Sequence, residues 1–295
     1  MGQHDPFKHI FEFLEMNNQL NNLDELERKV IEIHDTFSHN DFKSYNYPDS
    51  SFQAGYLIFY YPLYIDPIDY ILSHVPDGEL GWIDKPKLTI SIYGGGPEPE
   101  LLGFLKFVHD KYPNILTIFS TYYDVHNWQE FRKYCYIKMI REYWPEKSFK
   151  ANSIFLDLSQ DLNNGRNFRT IHESDVHIMQ NCATDLMNQL GEISRYHEFI
   201  SNFFKKLKSG AILIIIDNPL FNTPLQSTPT EIIDIRRSLQ QITFHNQQYG
   251  SIIKNVSSGS PTEITPKIVR NHPLLSRFRL KERVKFHSII MKRGG

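Results

Sequence analysis

The stretch from Leu88 to Val125 restricts this chain most severely. Leu88-Thr89-Ile90-Ser91-Ile92-Tyr93 is a short apolar run with β-branched residues, and it stops at Gly94-Gly95-Gly96-Pro97-Glu98-Pro99-Glu100. That pattern predicts a strand entering a tight turn. From Glu100 onward Leu101, Leu102, Leu105, Phe107 and Val108 recur at helical spacing until Tyr112-Pro113, where the missing proline N–H ends the helix. Leu116 to Tyr123 is again strand-like and finishes in Asp124. Strand, glycine loop, helix, strand and terminal carboxylate make one mononucleotide-binding half of an α/β fold.

Three consecutive glycines let the backbone approach a ligand where any side chain would block it, and the helix start behind them offers unpaired N–H groups. Asp124 follows the loop by about 30 residues, somewhat beyond the roughly 20 expected of a carboxylate that grips ribose hydroxyls. The loop also carries Glu98 and Glu100 where a dinucleotide fold would hold its pyrophosphate. Two carboxylates repel a diphosphate but suit a sulfonium and an amine. S-adenosylmethionine is therefore favoured over a nicotinamide dinucleotide.

At this point Ile92-Tyr93-Gly94-Gly95-Gly96-Pro97 resembles the first motif of the class I S-adenosylmethionine-dependent methyltransferases, with Glu98 standing where that motif commonly has a final glycine. Asp124 matches the acid that ends the family's second strand. Asp157, in Ile154-Phe155-Leu156-Asp157-Leu158, matches its residue after strand three, and Leu207-Lys208-Ser209-Gly210-Ala211-Ile212-Leu213 is similar to its turn into strand five. The resemblance implies a three-layer α/β sandwich on a seven-stranded, mostly parallel sheet, with the last two strands an antiparallel hairpin. It places Gly94, Gly95, Gly96 and Pro97 about the methionine part of the cofactor, with Tyr93 and Glu98 as further cofactor contacts. Asp124 falls on the ribose hydroxyls beside Val125, and Asp157 with Leu158 on the adenine. Residues after strand four (Val176 to Met179) lie nearest the transferred methyl group, so Asn181 and Asp185 are the catalytic candidates, Asn181 also as a cofactor contact. Asn and Asp also favour helix starts, so capping is the competing role for either. Trp128 either covers the adenine or packs a helix on the sheet. Asp217-Asn218-Pro219-Leu220 invites comparison with the amino-methyltransferase motif D/N-P-P-Y/F, but it lacks the second proline and the aromatic residue and follows the wrong strand.

Composition bounds the remainder. The 295 residues could form one large domain or two small ones, and a formal net charge of −2 does not mark the whole chain as a polyanion binder. The charge is uneven, however: from Lys267 to Arg293 nine basic residues face the single acid Glu282. This segment is either a nucleic-acid footprint or a solvated edge of the last strands. Cys135 and Cys182 have neither zinc nor iron–sulfur spacing, and two free thiols in a reducing compartment are the simplest account, though two cysteines could pair. There is no signal layout at the N-terminus, and the longest apolar stretch, Ala54 to Ile65, contains Pro62 and is shorter than the roughly 20 residues needed to span a bilayer. A soluble, cytoplasmic protein is expected.

Residues 1–80 read as an N-terminal helical extension ahead of a cofactor-binding domain at 81–295. Phe7, Ile10, Phe11, Leu14 and then Leu23, Leu26, Val30, Ile33, Phe37 mark two helices, Asp24 being a plausible cap for the second. Phe52 to Val75 is an aromatic-rich segment with Tyr56, Tyr60 and Tyr64, read either as core or as a helix offering a tyrosine to the glycine loop. In layout it is similar to a subset of methyltransferases acting on ribosomal RNA. Further expectations are a strand at Ser153 to Leu158, one long helix from Met187 to Lys208, a buried central strand from Ala211 to Ile216, a loop at Asn222 to Thr230, and final strands at Ser251 to Val256 and Arg283 to Met291. Methyl transfer with RNA as acceptor, through residues 267–293, is the leading expectation. A small-molecule acceptor and an inactive methyltransferase-like scaffold are the alternatives.

Overall fold

A computed structural model describes residues 5–38, 49–126, 128–158, 171–218, 223–224, 232–255, 261–266, 278 and 283–295. The first half carries α1 (Pro6–Met16), α2 (Leu23–Ser38), α3 (Ser50–Phe59), α4 (Asp66–Ser73), β1 (Lys87–Tyr93), α5 (Pro99–Lys111), β2 (Thr117–Asp124), α6 (Gln129–Cys135) and β3 (Ser148–Phe155). The second half carries β4 (Val176–Gln180), α7 (Ala183–Leu190), α8 (Ile193–Lys206), β5 (Ile212–Asp217), α9 (Ile235–Asn246), β6 (Gly250–Asn255) and β7 (Val284–Arg293). The strands lie in the order β3-β2-β1-β4-β5-β7-β6, and a short strand, Thr262–Ile264, also pairs with β7. All neighbours through β5 are parallel, whereas β7 runs antiparallel to both β5 and β6.

Alternation along the strands produces two cores. Ile90, Ile92, Ile118, Ile178, Ile214 and Ile216 face α1 to α6, while Tyr93, Tyr123, Met179, Leu213 and Ile215 face α7 to α9. Successive side chains on a strand point to opposite faces, so a strand buried on both sides reads as a largely apolar run. Every residue of β4 and β5 is buried, β5 on its apolar run Ile212 to Ile216 and β4 with the polar His177 and Gln180 enclosed beside its apolar residues, whereas β3 is an edge with most positions exposed. The N-terminal helices share one hydrophobic cluster with the sheet, from Phe7 through Ile58 to Ile290. Gly103 lets α5 approach α4: a Cβ there would lie 1.9 Å from the carbonyl oxygen of Ile65.

Several boundaries depart from the sequence expectation. Strand three begins at Ser148, five residues early, because an exposed edge strand such as Ser148-Phe149-Lys150-Ala151-Asn152 lacks the apolar alternation that announces a half-buried one. The helix expected from Met187 to Lys208 is two, since Gly191 adopts φ 79° and ends the first. Pro62 splits the aromatic segment into α3, a 3₁₀ turn at Tyr61–Tyr64 and α4. Asn22, not Asp24, caps α2: its Oδ1 accepts the Glu25 N–H at 3.1 Å. Beyond α6 the helix widens into a π-turn at Tyr136–Ile140. The expected cap Asn127, most of the Asn222 to Thr230 loop, and Lys267, Arg270, Arg277, Arg279 and Lys281 lie outside the described residues. No helix among the described residues is long and apolar enough to cross a membrane.

Where the strands begin, Asp175 fastens β1 to β4. Its carboxylate accepts Lys85 Nζ at 2.7 Å, Thr89 N at 2.9 Å and Thr89 Oγ1 at 2.8 Å, and pairs with Lys208 Nζ at 2.9 Å. Burial works against the charged form, but these donors outweigh it and hold the carboxyl down at about 2. A carboxylate depressed in the folded state stabilises above its unfolded pKa, and that contribution is lost as pH falls through the folded value. Asp175→Asn is therefore expected to cost about 2 kcal/mol at pH 7, with the difference from wild type vanishing between about pH 4 and pH 2. Urea unfolding at a series of pH values checks it, and a pH-independent difference would refute the linkage.

Candidate cofactor and acceptor cleft

The carboxyl ends of β1, β2, β3 and β4 open into one cleft, floored by the glycine turn and walled by Tyr56, Tyr60 and Tyr64. It lies where chain connections leave the sheet in opposite directions, between β1 and β4. The turn is held open by backbone conformations that favour glycine: Gly94 and Gly96 have φ 59° and 54°, and Glu98 adopts φ 67° although it carries a side chain. A Cβ on Gly95 would lie 2.2 Å from Glu100 Oε1.

Arg132, on α6 and 4% exposed, ties this turn to the end of β2. Its Nη2 donates to the Gly96 carbonyl at 2.6 Å and to Asp124 Oδ2 at 3.1 Å, and its Nε lies 2.5 Å from Glu98 Oε1. Asp124 in turn accepts the Gly96 N–H at 2.9 Å on Oδ2 and the His126 N–H at 2.8 Å on Oδ1. A carboxylate has about four acceptor positions, so Asp124, with three taken, retains room for one hydroxyl.

The interior is acidic. Glu100 is 1% exposed and lines the cleft, and its Oε1 has no hydrogen-bond partner among the described residues. Burial pushes its carboxyl up to about 8, with Asp124 adding to the effect and its own backbone N–H and Arg132 opposing it. Asp185, at the start of α7, also lines the cleft, and burial, reinforced by Asp217 and Asp124, raises it to about 7. Helix α7 does not depend on Asp185 for a cap, because Asp217 reaches across from β5 and accepts the N–H groups of Ala183 at 2.7 Å and Thr184 at 3.3 Å. Two further buried atoms of residues that line the cleft, Trp128 Nε1 and Gln180 Oε1, lack hydrogen-bond partners among the described residues. Buried polar atoms are nearly always satisfied, so these atoms are available to a ligand or to solvent.

The aromatic wall is a ladder. Tyr56 and Tyr60 stack at 4.7 Å and 12°, Tyr60 and Tyr64 at 5.1 Å and 9°, and Trp128 leans on Tyr56 at 5.4 Å. Spacing of four residues aligns the rings, the 3₁₀ turn continuing the row. At its inner end the Tyr64 hydroxyl donates to Asn218 Oδ1 at 3.1 Å, Asn218 Nδ2 reaches Asn181 Oδ1 at 3.4 Å, and Gln180 Nε2 donates to the Tyr64 carbonyl at 2.8 Å.

Of the residues expected at the cofactor, Gly94, Gly95, Gly96, Asp124, Val125, Trp128, Asp157, Leu158 and Asn181 line the cleft, as does Asp185. Three of the expected cofactor residues, Tyr93, Pro97 and Glu98, are not among those lining the cleft. The Tyr93 side chain lies on the opposite face, its hydroxyl 2.9 Å from His177 Nδ1, because the strand alternates. Pro97 is buried in the loop, and Glu98 pairs with Arg132. Trp128 both packs and lines the cleft, being 2% exposed with its indole nitrogen beside Gly96. The sequence reading missed Arg132, Gln180 and Cys182; an uncompensated Glu98 in a glycine turn was the available signal for a buried cation nearby. Cys135 and Cys182 are buried free thiols.

Neither a family model nor a curated protein matches this chain. Solved structures similar to it include an O-methyltransferase family 2 protein of Planctomyces limnophilus (13% identity, TM-score 0.41, 78% of this chain and 56% of that one). Another is a Listeria monocytogenes protein assigned to the class I S-adenosylmethionine-dependent methyltransferases (10%, TM-score 0.49, 98% and 88%). A third is an S-adenosylmethionine-dependent methyltransferase of Clostridium acetobutylicum (14%, TM-score 0.36, 76% and 95%). The chain thus spans little more than half the length of the first of these. Seven strands in the order 3-2-1-4-5-7-6, only the seventh reversed, on a glycine turn after the first, are the class I S-adenosylmethionine-dependent methyltransferase fold.

Proposed function

We propose that the cleft binds S-adenosylmethionine and that the protein transfers its methyl group to a small acceptor that carries no negative charge. The observation that carries this reading is the set of buried atoms without a hydrogen-bond partner among the described residues, Glu100 Oε1, Trp128 Nε1 and Gln180 Oε1, on residues lining a cleft whose other acids among the described residues are Asp124, Asp157 and Asp185. A cationic ligand with hydroxyls and a donor-bearing ring satisfies such a set, and a diphosphate does not. Gly94 to Gly96 and Glu100 would hold the methionine part, Asp124 the ribose hydroxyls, and Asp157 with Leu158 the adenine. When bound, the cofactor supplies a methyl group already activated on sulfur, so the protein's work is to align acceptor and donor and to exclude water.

The acceptor would enter past the tyrosine ladder toward Asn181, Asn218 and Asp185. A polyanion is disfavoured by the same acids. Among the described residues, the basic side chains of the 267–293 segment are engaged elsewhere. Arg283 and Lys285 pair with Glu263 at 2.8 and 3.2 Å, and Lys292 and Arg293 donate to backbone carbonyls of Glu79, Lys205 and Tyr249.

Calorimetric titration with S-adenosylmethionine and S-adenosylhomocysteine tests the cofactor. Asp124→Ala is expected to weaken both by about 10- to 100-fold, the worth of a charge-assisted hydrogen bond. No binding to folded wild type, or unchanged binding in the variant, would overturn the reading. Labelled methyl groups recovered in an RNA fraction, with none in small molecules, would overturn the acceptor assignment.

A further inference from the structure

Among the described residues, Glu100 is the cleft carboxyl that is both sealed from solvent and short of a partner on one oxygen. It is 1% exposed, sits directly under Gly95, and belongs to the first turn of α5, where Pro99 supplies no N–H. The groups facing it are Arg132 from α6, Asp124 from the end of β2 and Cys182 from the turn after β4, with Asp185 across the cleft. Arg132 gives its hydrogen bonds to Gly96 and Asp124 and its ion pair to Glu98. No hydrogen bond from it reaches Glu100 Oε1, which keeps no partner among the described residues. A group so placed holds a proton until a cation displaces it.

We propose that Glu100 is the recognition residue for the ligand's α-ammonium group, and that it surrenders its carboxyl proton to solvent when that ammonium binds. This rests on the cofactor reading above and deepens it. The step is balanced: the O–H bond of the neutral carboxyl breaks, the proton leaves to buffer, and the resulting carboxylate accepts an N–H of the ligand. Since the carboxyl stands at about 8 in the empty cleft, about nine-tenths of it is protonated at pH 7. The ligand's own α-amino group, with an ordinary pKa of roughly 7.7–8.0, stays mainly charged below that range.

S-adenosylhomocysteine is the probe, because it keeps the ammonium and lacks the sulfonium charge. Titrations at pH 7 in phosphate, HEPES and Tris, plotted against buffer ionisation enthalpy, give the protons released per ligand. Wild type is expected to release close to one, and its Kd to fall about tenfold from pH 6 to pH 7. Glu100→Gln, which keeps the shape, is expected to lose most of that release and flatten the pH dependence. Binding by wild type without proton release, or full release by Glu100→Gln, overturns the proposal while leaving the cofactor reading standing. Absence of binding at every pH overturns both.

Discussion

Arg132→Met is expected to destabilise the protein by about 3–5 kcal/mol, the cost of removing one partner from a buried ion pair. Methionine keeps an apolar stem against Tyr122, whose ring the guanidinium faces at 5.3 Å, so the loss isolates the charge. What remains is Glu98, 2% exposed, and Asp124, 8% exposed, as buried acids without their cation. The Gly96 carbonyl also loses both of its donors, Nε at 3.0 Å and Nη2 at 2.6 Å. Against a total stability of about 5–15 kcal/mol for an ordinary domain, the change should be evident as a large fall in the urea midpoint. Glu98→Gln removes one of the two stranded charges beforehand. The double variant should therefore be less destabilised than the sum of the singles, by about 1–3 kcal/mol. Additive losses, or a single-variant cost within 1 kcal/mol of zero, would show that the network is incidental to the turn. The same network explains how the turn tolerates Glu98 at φ 67°: the side chain that costs backbone strain is also the one that fixes the guanidinium over Gly96.

How much of this was legible in the chain can be judged residue by residue. Local punctuation exposed the framework. The glycine run, Asp124 at the end of a strand and the apolar Ile212 to Ile216 each act through covalent or near-neighbour physics, and each lies where its pattern placed it. Boundaries failed where the deciding force was non-local. Edge strand β3 is set by pairing with β2, from Thr117 opposite Ser148 to Asp124 opposite Phe155, and its own side chains hardly advertise it. Arg132 looks like any polar residue of an amphipathic helix until the fold brings α6 under the glycine turn. Asp217 caps a helix more than thirty positions earlier in the chain, an interaction no local window contains. The tyrosines at 56, 60 and 64 did carry a readable spacing, but periodicity alone could not say whether their shared side faced core or cleft; it faces both, with Tyr60 and Tyr64 each 7% exposed.

Asp185→Asn is expected to lower kcat by about 10²- to 10⁴-fold for an acceptor that must lose a proton, the range ascribed to a positioned general base. Asp217 already satisfies the N–H groups of Ala183 and Thr184, so capping does not require Asp185. Burial, Asp217 and Asp124 together raise Asp185 to about 7, poised to accept a proton near neutrality, whereas an ordinary aspartate would be too weak a base. A base acts in its deprotonated form, so kcat should be low below pH 7, rise through about 7 and level off above it. In Asp185→Asn that limb should disappear, with the Kd for S-adenosylhomocysteine changed by less than about threefold, since recognition is assigned to Glu100 and Asp124. The assay uses whichever acceptor takes up labelled methyl from S-adenosylmethionine. A loss smaller than tenfold with the pH limb intact would remove Asp185 from the chemistry and leave alignment alone as its source. A parallel loss of cofactor affinity would instead make its role electrostatic, one carboxylate among several that hold a cation.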